Sequence, residues 1–186
     1  MNSKDSITSK ELAHIIFITG GTKSGKSEFA EHLAKREIKL SYIALSENNL
    51  KDKEWQEKIN IHRKRRPEHW KLIETTNLIS TLSKVDGPLL IDSIGGFVME
   101  SINNKNSEWL IKMNSLISHL KKRKSLTIIV GEQVGWSLVS EYKIGNTYIE
   151  RIGELQKRIT KISKDNWLAI NGRAIKIDEI STEIPT

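Results

Sequence analysis

The 186-residue chain contains no cysteine and only three prolines. The missing thiols exclude disulfides, thiolate metal sites and a cysteine nucleophile. No apolar run reaches the roughly 18 residues that a membrane-spanning helix needs. The first residues, from Met1 to Glu11, are mostly polar and lack the apolar stretch of a secretory signal peptide. We therefore expect a cytoplasmic protein without a membrane span.

The chain has an excess of positive charge, with a net charge of +7 and a pI of about 9.5. Two basic clusters stand out, at His62–Arg66 and Lys121–Lys124. Basic surfaces attract polyanions, and nucleic acids are one class of polyanion. However, lysines are spread over the whole chain, and nucleotides are themselves polyanions. We therefore expect no nucleic-acid partner and interpret the second cluster as a solvated helix end.

The sequence shows no internal repeat and no low-complexity linker, so we expect a flexible extension at residues 1–13 and one domain at residues 14–180. Short apolar runs predict strands at His14–Thr19, Ser41–Leu45, Lys71–Glu74, Pro88–Asp92 and Leu126–Val130. Between and after them, helices are predicted at Lys26–Glu37, Lys53–Arg65, Leu78–Leu82, Glu108–Lys122 and Ile144–Ser163. This alternation predicts an α/β fold with a mostly parallel sheet flanked by helices.

The C-terminal region has a different pattern. Trp167–Ile170 and Arg173–Ile177 are short strand-like runs separated by Asn171-Gly172. An Asn-Gly pair between two such runs indicates a two-residue hairpin turn. We therefore expect an antiparallel hairpin at the edge of the parallel sheet.

A glycine-rich loop follows the first predicted strand and opens the first helix. It fits the phosphate-loop pattern Gly-x-x-x-x-Gly-Lys-Ser in full. Its glycines let backbone amides approach phosphates, and the helix N-terminus favours anions. We predict that Lys26 reaches the β- and γ-phosphates in a catalytic role and that the Ser27 hydroxyl ligates Mg²⁺. The predicted residues for binding a nucleoside triphosphate are Gly20, Gly21, Thr22, Lys23, Ser24, Gly25, Lys26 and Ser27.

Asp92 ends the apolar strand Pro88–Asp92. A carboxylate at such a position holds Mg²⁺ in phosphate-loop proteins, and this is the role we predict for Asp92. The alternative is that Asp92 caps the next helix. Because ligands bind beyond the carboxyl ends of parallel strands, Asp92 and the glycine loop are expected at one place.

His62 lies near the end of a predicted basic helix. A neutral imidazole can attack phosphorus, and nearby cations depress its pKa and keep it neutral. On the residues alone, a solvated surface histidine is the more common arrangement.

Several motifs in this order resemble those of the bifunctional adenosylcobinamide kinase / adenosylcobinamide-phosphate guanylyltransferase family (CobU/CobP) of cobalamin biosynthesis. The resemblance covers about residues 14–177. Its most specific part is the histidine element after the phosphate loop. The motifs are Thr19-Gly20-Gly21-Thr22-Lys23-Ser24-Gly25-Lys26-Ser27, Tyr42-Ile43-Ala44, His62-x-x-x-Arg66-Pro67-x-x-Trp70, Leu90-Ile91-Asp92-Ser93 and Val134-Gly135-Trp136.

The resemblance implies a RecA-like P-loop fold, a homotrimer and two reactions. A nucleoside triphosphate, ATP or GTP, phosphorylates adenosylcobinamide. GTP then gives GMP to that phosphate, forming adenosylcobinamide-GDP and pyrophosphate. The second reaction passes through a GMP-histidine intermediate, which the motif places on the catalytic residue His62. Arg66 would bind nucleotide phosphate, and Mg²⁺ would be the cofactor.

This chain departs from the family in its last third. Where the family has Asn-Glu-Val-Gly-x-Gly-x-Val-Pro, this chain has Glu132-Gln133-Val134-Gly135-Trp136-Ser137-Leu138-Val139-Ser140. Two family arginines that follow are replaced by Asn146 and Ile149. Other cations could substitute for them (Lys143, Arg151 or Lys157), one activity could be weak, or the substrate could be a related one.

Two other functions stay open on the sequence. One is a P-loop kinase for another small molecule, without a covalent intermediate. The other is a non-enzymatic, basic NTP-binding module. Within the main interpretation, Trp70 and Trp136 are expected near the large corrinoid substrate.

Overall fold

The computed structural model describes residues 14–45, 66–136 and 140–185. The expected helix Lys53–Arg65, which contains His62, and the expected extension at residues 1–13 lie outside these ranges. The strands are β1 (Ile15–Gly20), β2 (Ser41–Ala44), β3 (Lys71–Glu74), β4 (Leu89–Asp92), β5 (Thr127–Glu132), β6 (Asp165–Ile170) and β7 (Arg173–Lys176). The α-helices are α1 (Lys26–Ala34), α2 (Leu78–Leu82), α3 (Gly95–Glu100), α4 (Asn106–Lys122) and α5 (Lys143–Thr160), and a short 3₁₀ helix spans Ile177–Glu179.

The strands form one seven-stranded sheet in the order β3-β2-β4-β5-β1-β6-β7. All neighbouring pairs are parallel except β6 and β7, which are antiparallel. The predicted fold class, a mostly parallel α/β sheet with a C-terminal antiparallel hairpin, is confirmed. This order puts β5 between β1, which leads into the glycine loop, and β4, which ends in Asp92.

Both faces of the central strands are buried, which explains their nearly continuous apolar sequences. On one face, strand residues such as Ile91 and Ile129 pack against α3, α4 and α5, which contribute Phe97, Met113 and Leu155. The second apolar cluster covers the other face. Its members are Ile18, Ala30, Ala34, Leu40, Tyr42, Trp70, Leu90, Ile128, Val130 and Ala169.

The helix boundaries differ from the expected ones in physically interpretable ways. Helix α3 was not expected, because it has only six residues and begins with two glycines, which have low helix propensity. Helix α4 begins two residues before the predicted Glu108, since the Lys105 N–H donates to the Glu108 carboxylate over 2.9 Å and fixes the first turn. Helices α1 and α5 each end three residues early.

The C-terminal hairpin turns at Asn171 and Gly172, which have φ angles of 49° and 74°. Two consecutive positive φ values are typical of the type I′ turn that matches the twist of the two strands. The Gly172 N–H also donates to the Ser24 carbonyl over 3.0 Å. The hairpin therefore supports the glycine loop directly. In the part of the chain described here, no helix is long and apolar enough to cross a membrane.

Candidate functional site

The glycine loop joins β1 to α1 at the carboxyl edge of the sheet. Gly25 has a φ of 94°, a conformation that favours glycine, and α1 starts at the next residue. The Lys26 ammonium group donates to the Gly21 carbonyl over 3.2 Å, so this side chain folds back over the loop. At Gly20 a Cβ atom would collide with the Ala169 carbonyl and lie 2.7 Å from the Ser24 hydroxyl oxygen. The close passage of the loop beside β6 therefore requires glycine at position 20.

Asp92 lies at the carboxyl end of β4 and faces the start of α1. The Ser27 hydroxyl donates to Asp92 Oδ1 over 3.2 Å, and the Tyr42 hydroxyl donates to Asp92 Oδ2 over 2.6 Å. Helix α3, which follows Asp92, begins at Gly95 without a side-chain cap. The Asp92 carboxylate is therefore used at the loop, and the capping alternative is not what the structure shows.

Tyr42 connects Asp92 to Arg66. The Arg66 guanidinium lies 3.7 Å from the centre of the Tyr42 ring, a distance typical of a cation–π contact. Burial raises the pKa of Tyr42 far above its usual range, and the neighbouring Asp92 charge raises it further. Tyr42 therefore stays a neutral hydrogen-bond donor to Asp92. Among the described residues, Arg66 Nε has no hydrogen-bond partner, so this nitrogen keeps its donor capacity.

A second carboxylate lies at the end of β5. Glu132 Oε1 accepts a hydrogen bond from the Ser93 hydroxyl. A Cβ at Gly95 would meet the Tyr148 hydroxyl and would lie 2.7 and 2.8 Å from the two Glu132 carboxylate oxygens. Burial raises the pKa of Glu132, whereas the Ser93 hydrogen bond and the Lys26 charge lower it. Burial and the Glu132 charge likewise raise the pKa of Tyr148.

The structure thus brings Lys26, Ser27, Asp92 and Arg66 to the carboxyl edge of the sheet. The glycine loop and Asp92 were expected at one place, and the roles assigned to these residues stay predictions. Two other members of the predicted loop, Thr22 and Lys23, are exposed there, and Ser24 is buried. His62 lies outside the described residues, so its predicted role stays a prediction.

One of the three cations considered as substitutes for the missing arginines is engaged elsewhere. The Arg151 side chain is buried and donates to the carbonyls of Ser101, Ile102 and Asn104, so it cannot also bind a substrate. Lys143, the first residue of α5, and Lys157, in its last turn, are both exposed. Neither is tied to another part of the fold in the way that Arg151 is, so both stay candidates.

The two tryptophans expected near the substrate differ. Trp70 is only 7% exposed, packs in the second apolar cluster and donates its indole N–H to the Glu37 carbonyl over 3.1 Å. It is a core residue, and the expectation of a substrate contact there was wrong. Trp136 is 64% exposed and stays a candidate.

Sequence reasoning assigned no role in the site to Tyr42, Ser93, Glu132 or Gly172. Their positions become visible only when β2, β4, β5 and the hairpin are placed side by side. A partial signal existed at Glu132, because a carboxylate close to the end of a buried apolar strand is unusual unless it is paired or functional.

A model of the family described as cobinamide kinase / cobinamide phosphate guanyltransferase matches residues 16–177. The chain belongs to this family. It is 26% identical to the bifunctional adenosylcobalamin biosynthesis protein CobU of Escherichia coli (strain K12) over 181 residues, which cover 88% of this chain and 99% of that protein. It is 27% identical to the bifunctional adenosylcobalamin biosynthesis protein CobP of Pseudomonas aeruginosa over 150 residues, covering 77% and 86% of the two chains. The predicted family and enzyme class are confirmed.

Two solved structures share the fold at low sequence identity. One is a protein of Pyrococcus horikoshii OT3, with a TM-score of 0.51 and 6% identity, covering 93% of this chain and 92% of that one. The other is an ATPase from a bacterial type III secretion system, with a TM-score of 0.51 and 11% identity, covering 83% of this chain and 50% of that one. At these identities the likeness concerns the fold alone.

Proposed function

We propose that this family member phosphorylates the hydroxyl group of adenosylcobinamide and then transfers GMP from GTP to the resulting phosphate. The observation that carries the proposal is the joint placement of Lys26, Ser27 and Asp92 at one edge of the sheet, in a chain that the family model matches over residues 16–177. A phosphate loop beside a strand-end carboxylate is the arrangement with which P-loop enzymes transfer phosphoryl groups.

Mg²⁺ fits the residues present. Ser27 Oγ and Asp92 Oδ1 lie 3.2 Å apart, and both are the hard oxygen donors that Mg²⁺ prefers. The described residues contain no cluster of three or more His, Cys, Asp or Glu side chains that could hold a metal. Water and phosphate oxygens would therefore supply the remaining ligands of the Mg²⁺ ion. When bound there, Mg²⁺ would neutralise charge on the phosphates. Lys26 would bind the same phosphates, and Arg66, beside Tyr42, would contribute a further positive charge.

For the second reaction we propose His62 as the residue that carries GMP. The nitrogen attacks the α-phosphorus of GTP and pyrophosphate leaves, giving a phosphoramidate. The acceptor phosphate then attacks the same phosphorus and releases the histidine. Splitting one displacement into two is the general advantage of covalent catalysis. Consistent with the family, we further propose a cytoplasmic homotrimer that binds ATP, GTP and the corrinoid and does not bind nucleic acid.

Covalent labelling with GTP that carries a radioactive α-phosphate tests the proposal. The wild-type protein should acquire a label that is labile in acid and stable in base, as a phosphoramidate is. His62→Ala should abolish the label, whereas the matched control His69→Ala should keep it. Labelling that persists in His62→Ala would reject His62 as the nucleophile. A wild-type protein that phosphorylates the corrinoid without ever acquiring the label would instead favour a kinase without a covalent intermediate.

A further inference from the structure

Glu132 occupies a position between the two halves of the nucleotide site. It is the last residue of β5, and its backbone pairs with Gly20, the first residue of the glycine loop. On the other side of β5, Asp92 at the end of β4 pairs with Val130. Glu132 therefore lies at the carboxyl edge, on the strand between the one that leads into the phosphate loop and the one that ends in the proposed Mg²⁺ ligand.

The two oxygens of the Glu132 carboxylate are in different situations. Oε1 accepts the hydrogen bond from Ser93, which fixes the orientation of the group. Oε2 is buried and has no hydrogen-bond partner within the described ranges 14–45, 66–136 and 140–185. Buried polar atoms without partners are rare in folded proteins, and functional sites are one of the places where they occur. An oriented, unpaired acceptor at the strand end next to the phosphate loop suits a group that receives a proton from a substrate.

The charges around Glu132 agree with this location. The Lys26 charge lowers the pKa of Glu132 and the Asp92 charge raises it. Lys26 is the residue that reaches the β- and γ-phosphates in this loop pattern. Glu132 pairs with Gly20, and the N–H of the next residue, Gln133, donates to the Gly20 carbonyl over 3.0 Å. The end of β5 therefore lies against this loop.

We propose that Glu132 is the catalytic base of the kinase step. The inference rests on the proposed function and adds a residue to it. The acceptor hydroxyl donates to Glu132 Oε2, and its oxygen attacks the γ-phosphorus as the proton moves to the carboxylate. The bond from the γ-phosphorus to the bridging oxygen breaks, and the nucleoside diphosphate leaves. Glu132 then releases its proton to solvent.

The guanylyl transfer does not need this base. Its acceptor is a phosphate, which is already ionised at neutral pH and has no proton that must be removed. A base at Glu132 should therefore be needed for one of the two reactions and not for the other. This difference separates a catalytic role of Glu132 from a structural one.

The test is Glu132→Gln, assayed for both half-reactions in the full-length protein. The amide keeps an oxygen that can accept from Ser93 but cannot take a proton. We expect kinase turnover, followed with γ-labelled nucleotide and adenosylcobinamide, to fall by about 100-fold or more. Covalent labelling from α-labelled GTP should stay within about threefold of wild type, because this step uses the loop and His62. Glu183→Gln, which removes an exposed carboxylate in the C-terminal tail, is the matched control and should behave as wild type.

A second variant, Ser93→Ala, keeps the carboxylate and removes only the bond that orients it. It should lose clearly less kinase turnover than Glu132→Gln. Should Glu132→Gln fail to fold, Glu132→Asp replaces it, with the carboxylate withdrawn by one methylene group. Kinase turnover must then fall more than labelling does.

Three outcomes would overturn the role of Glu132. These are wild-type kinase turnover in Glu132→Gln, equal losses of turnover and labelling, or a larger loss in Ser93→Ala than in Glu132→Gln. A wild-type protein that does not phosphorylate adenosylcobinamide would instead overturn the proposed function itself.

Discussion

The buried Arg151 side chain holds the segment between α3 and α4 in place. Its guanidinium donates to the Ser101, Ile102 and Asn104 carbonyls over 2.6, 3.1 and 2.6 Å. It also lies 5.3 Å from the centre of the Trp109 ring. These carbonyls follow the last turn of α3, where the intrahelical donors end. The Ser101 carbonyl also accepts from the Asn104 N–H over 3.1 Å. One arginine thus closes a helix end that has no glycine cap.

Replacing Arg151 by lysine should therefore lower stability strongly. A single ammonium group cannot meet three carbonyls with the fixed fork of a guanidinium. Hydrogen bonds to charged groups contribute about 1.5–3 kcal/mol each, so we expect the free energy of unfolding to fall by about 2 kcal/mol or more. Urea denaturation measures this free energy. Lys157→Arg, on the exposed face of the same helix, is the control and should leave it unchanged. An unchanged midpoint for Arg151→Lys would contradict this role.

At the scale of single residues, the sequence predicted the parts of the site that are contiguous. The glycine loop is one segment with a fixed spacing, so each position could be interpreted from its neighbours. Asp92 could be predicted because it ends an apolar strand. Tyr42 and Glu132 could not, because their roles depend on β2, β4 and β5 lying side by side. Arg151 was misinterpreted for the same reason, since a guanidinium that meets carbonyls looks the same in sequence as one that meets phosphate.

The C-terminal hairpin is the element that most directly shapes the nucleotide site. Its turn residue Gly172 donates to the Ser24 carbonyl, and a Cβ at Gly25 would lie 3.6 Å from Gly172 Cα. The loop and the turn therefore pack backbone against backbone. The hairpin was predicted from Asn171-Gly172, but its contact with the phosphate loop was not, because about 145 residues separate the two in sequence.

Gly172→Ala should destabilise the hairpin and loosen the loop together. The residue has a φ of 74°, and the left-handed region costs a residue with a Cβ about 1–2 kcal/mol. We expect a loss of stability of this size in urea denaturation and a several-fold weaker affinity for GTP in calorimetry. Asn171→Gly is the control, because glycine adopts the positive φ of this neighbouring position without strain. We expect it to change the free energy of unfolding by no more than about 0.5 kcal/mol. If Gly172→Ala were as stable as the wild-type protein, Gly172 would not have the positive φ described here.

Most elements were predictable because their periodicity is strong. Strand β3 and helix α2 have the predicted boundaries, and the other predicted elements within the described ranges differ by a few residues at their ends. Helix α3 escaped prediction, since six residues beginning with Gly95-Gly96 show no helical pattern. Its conformation depends on tertiary contacts. A Cβ at Gly96 would lie 2.9 Å from the carbonyl carbon of Leu45, the residue after β2, so only a glycine allows α3 to approach the chain so closely there.

The molecule as a whole carries a net charge of +7, and its proposed ligands are polyphosphates. The loop, Asp92 and Arg66 come from different parts of the chain and meet at one edge of the sheet. A ligand that contacts all of them should therefore stabilise the whole fold and not only one segment. Binding to the native state alone adds RT ln(1 + [L]/Kd) to the free energy of unfolding.

Thermal unfolding with α,β-methylene GTP tests this coupling, because the analogue cannot transfer GMP to a histidine. In the presence of Mg²⁺ and at a concentration of 100 times its Kd, the analogue should raise the free energy of unfolding by about 2.7 kcal/mol. For a domain of this size that corresponds to a rise in Tm of about 5–10 °C. Removing Mg²⁺ with EDTA should reduce the rise in Tm, since Ser27 and Asp92 then lose the ion that joins them to the phosphates.

Two variants test whether the phosphate loop causes this stabilisation. Lys26→Ala should abolish the rise in Tm at the same ligand concentration, whereas Lys122→Ala, in the exposed last turn of α4, should keep it. An equal loss in both variants would mean that the nucleotide binds through the general positive charge of the surface, and the phosphate-loop assignment would fail.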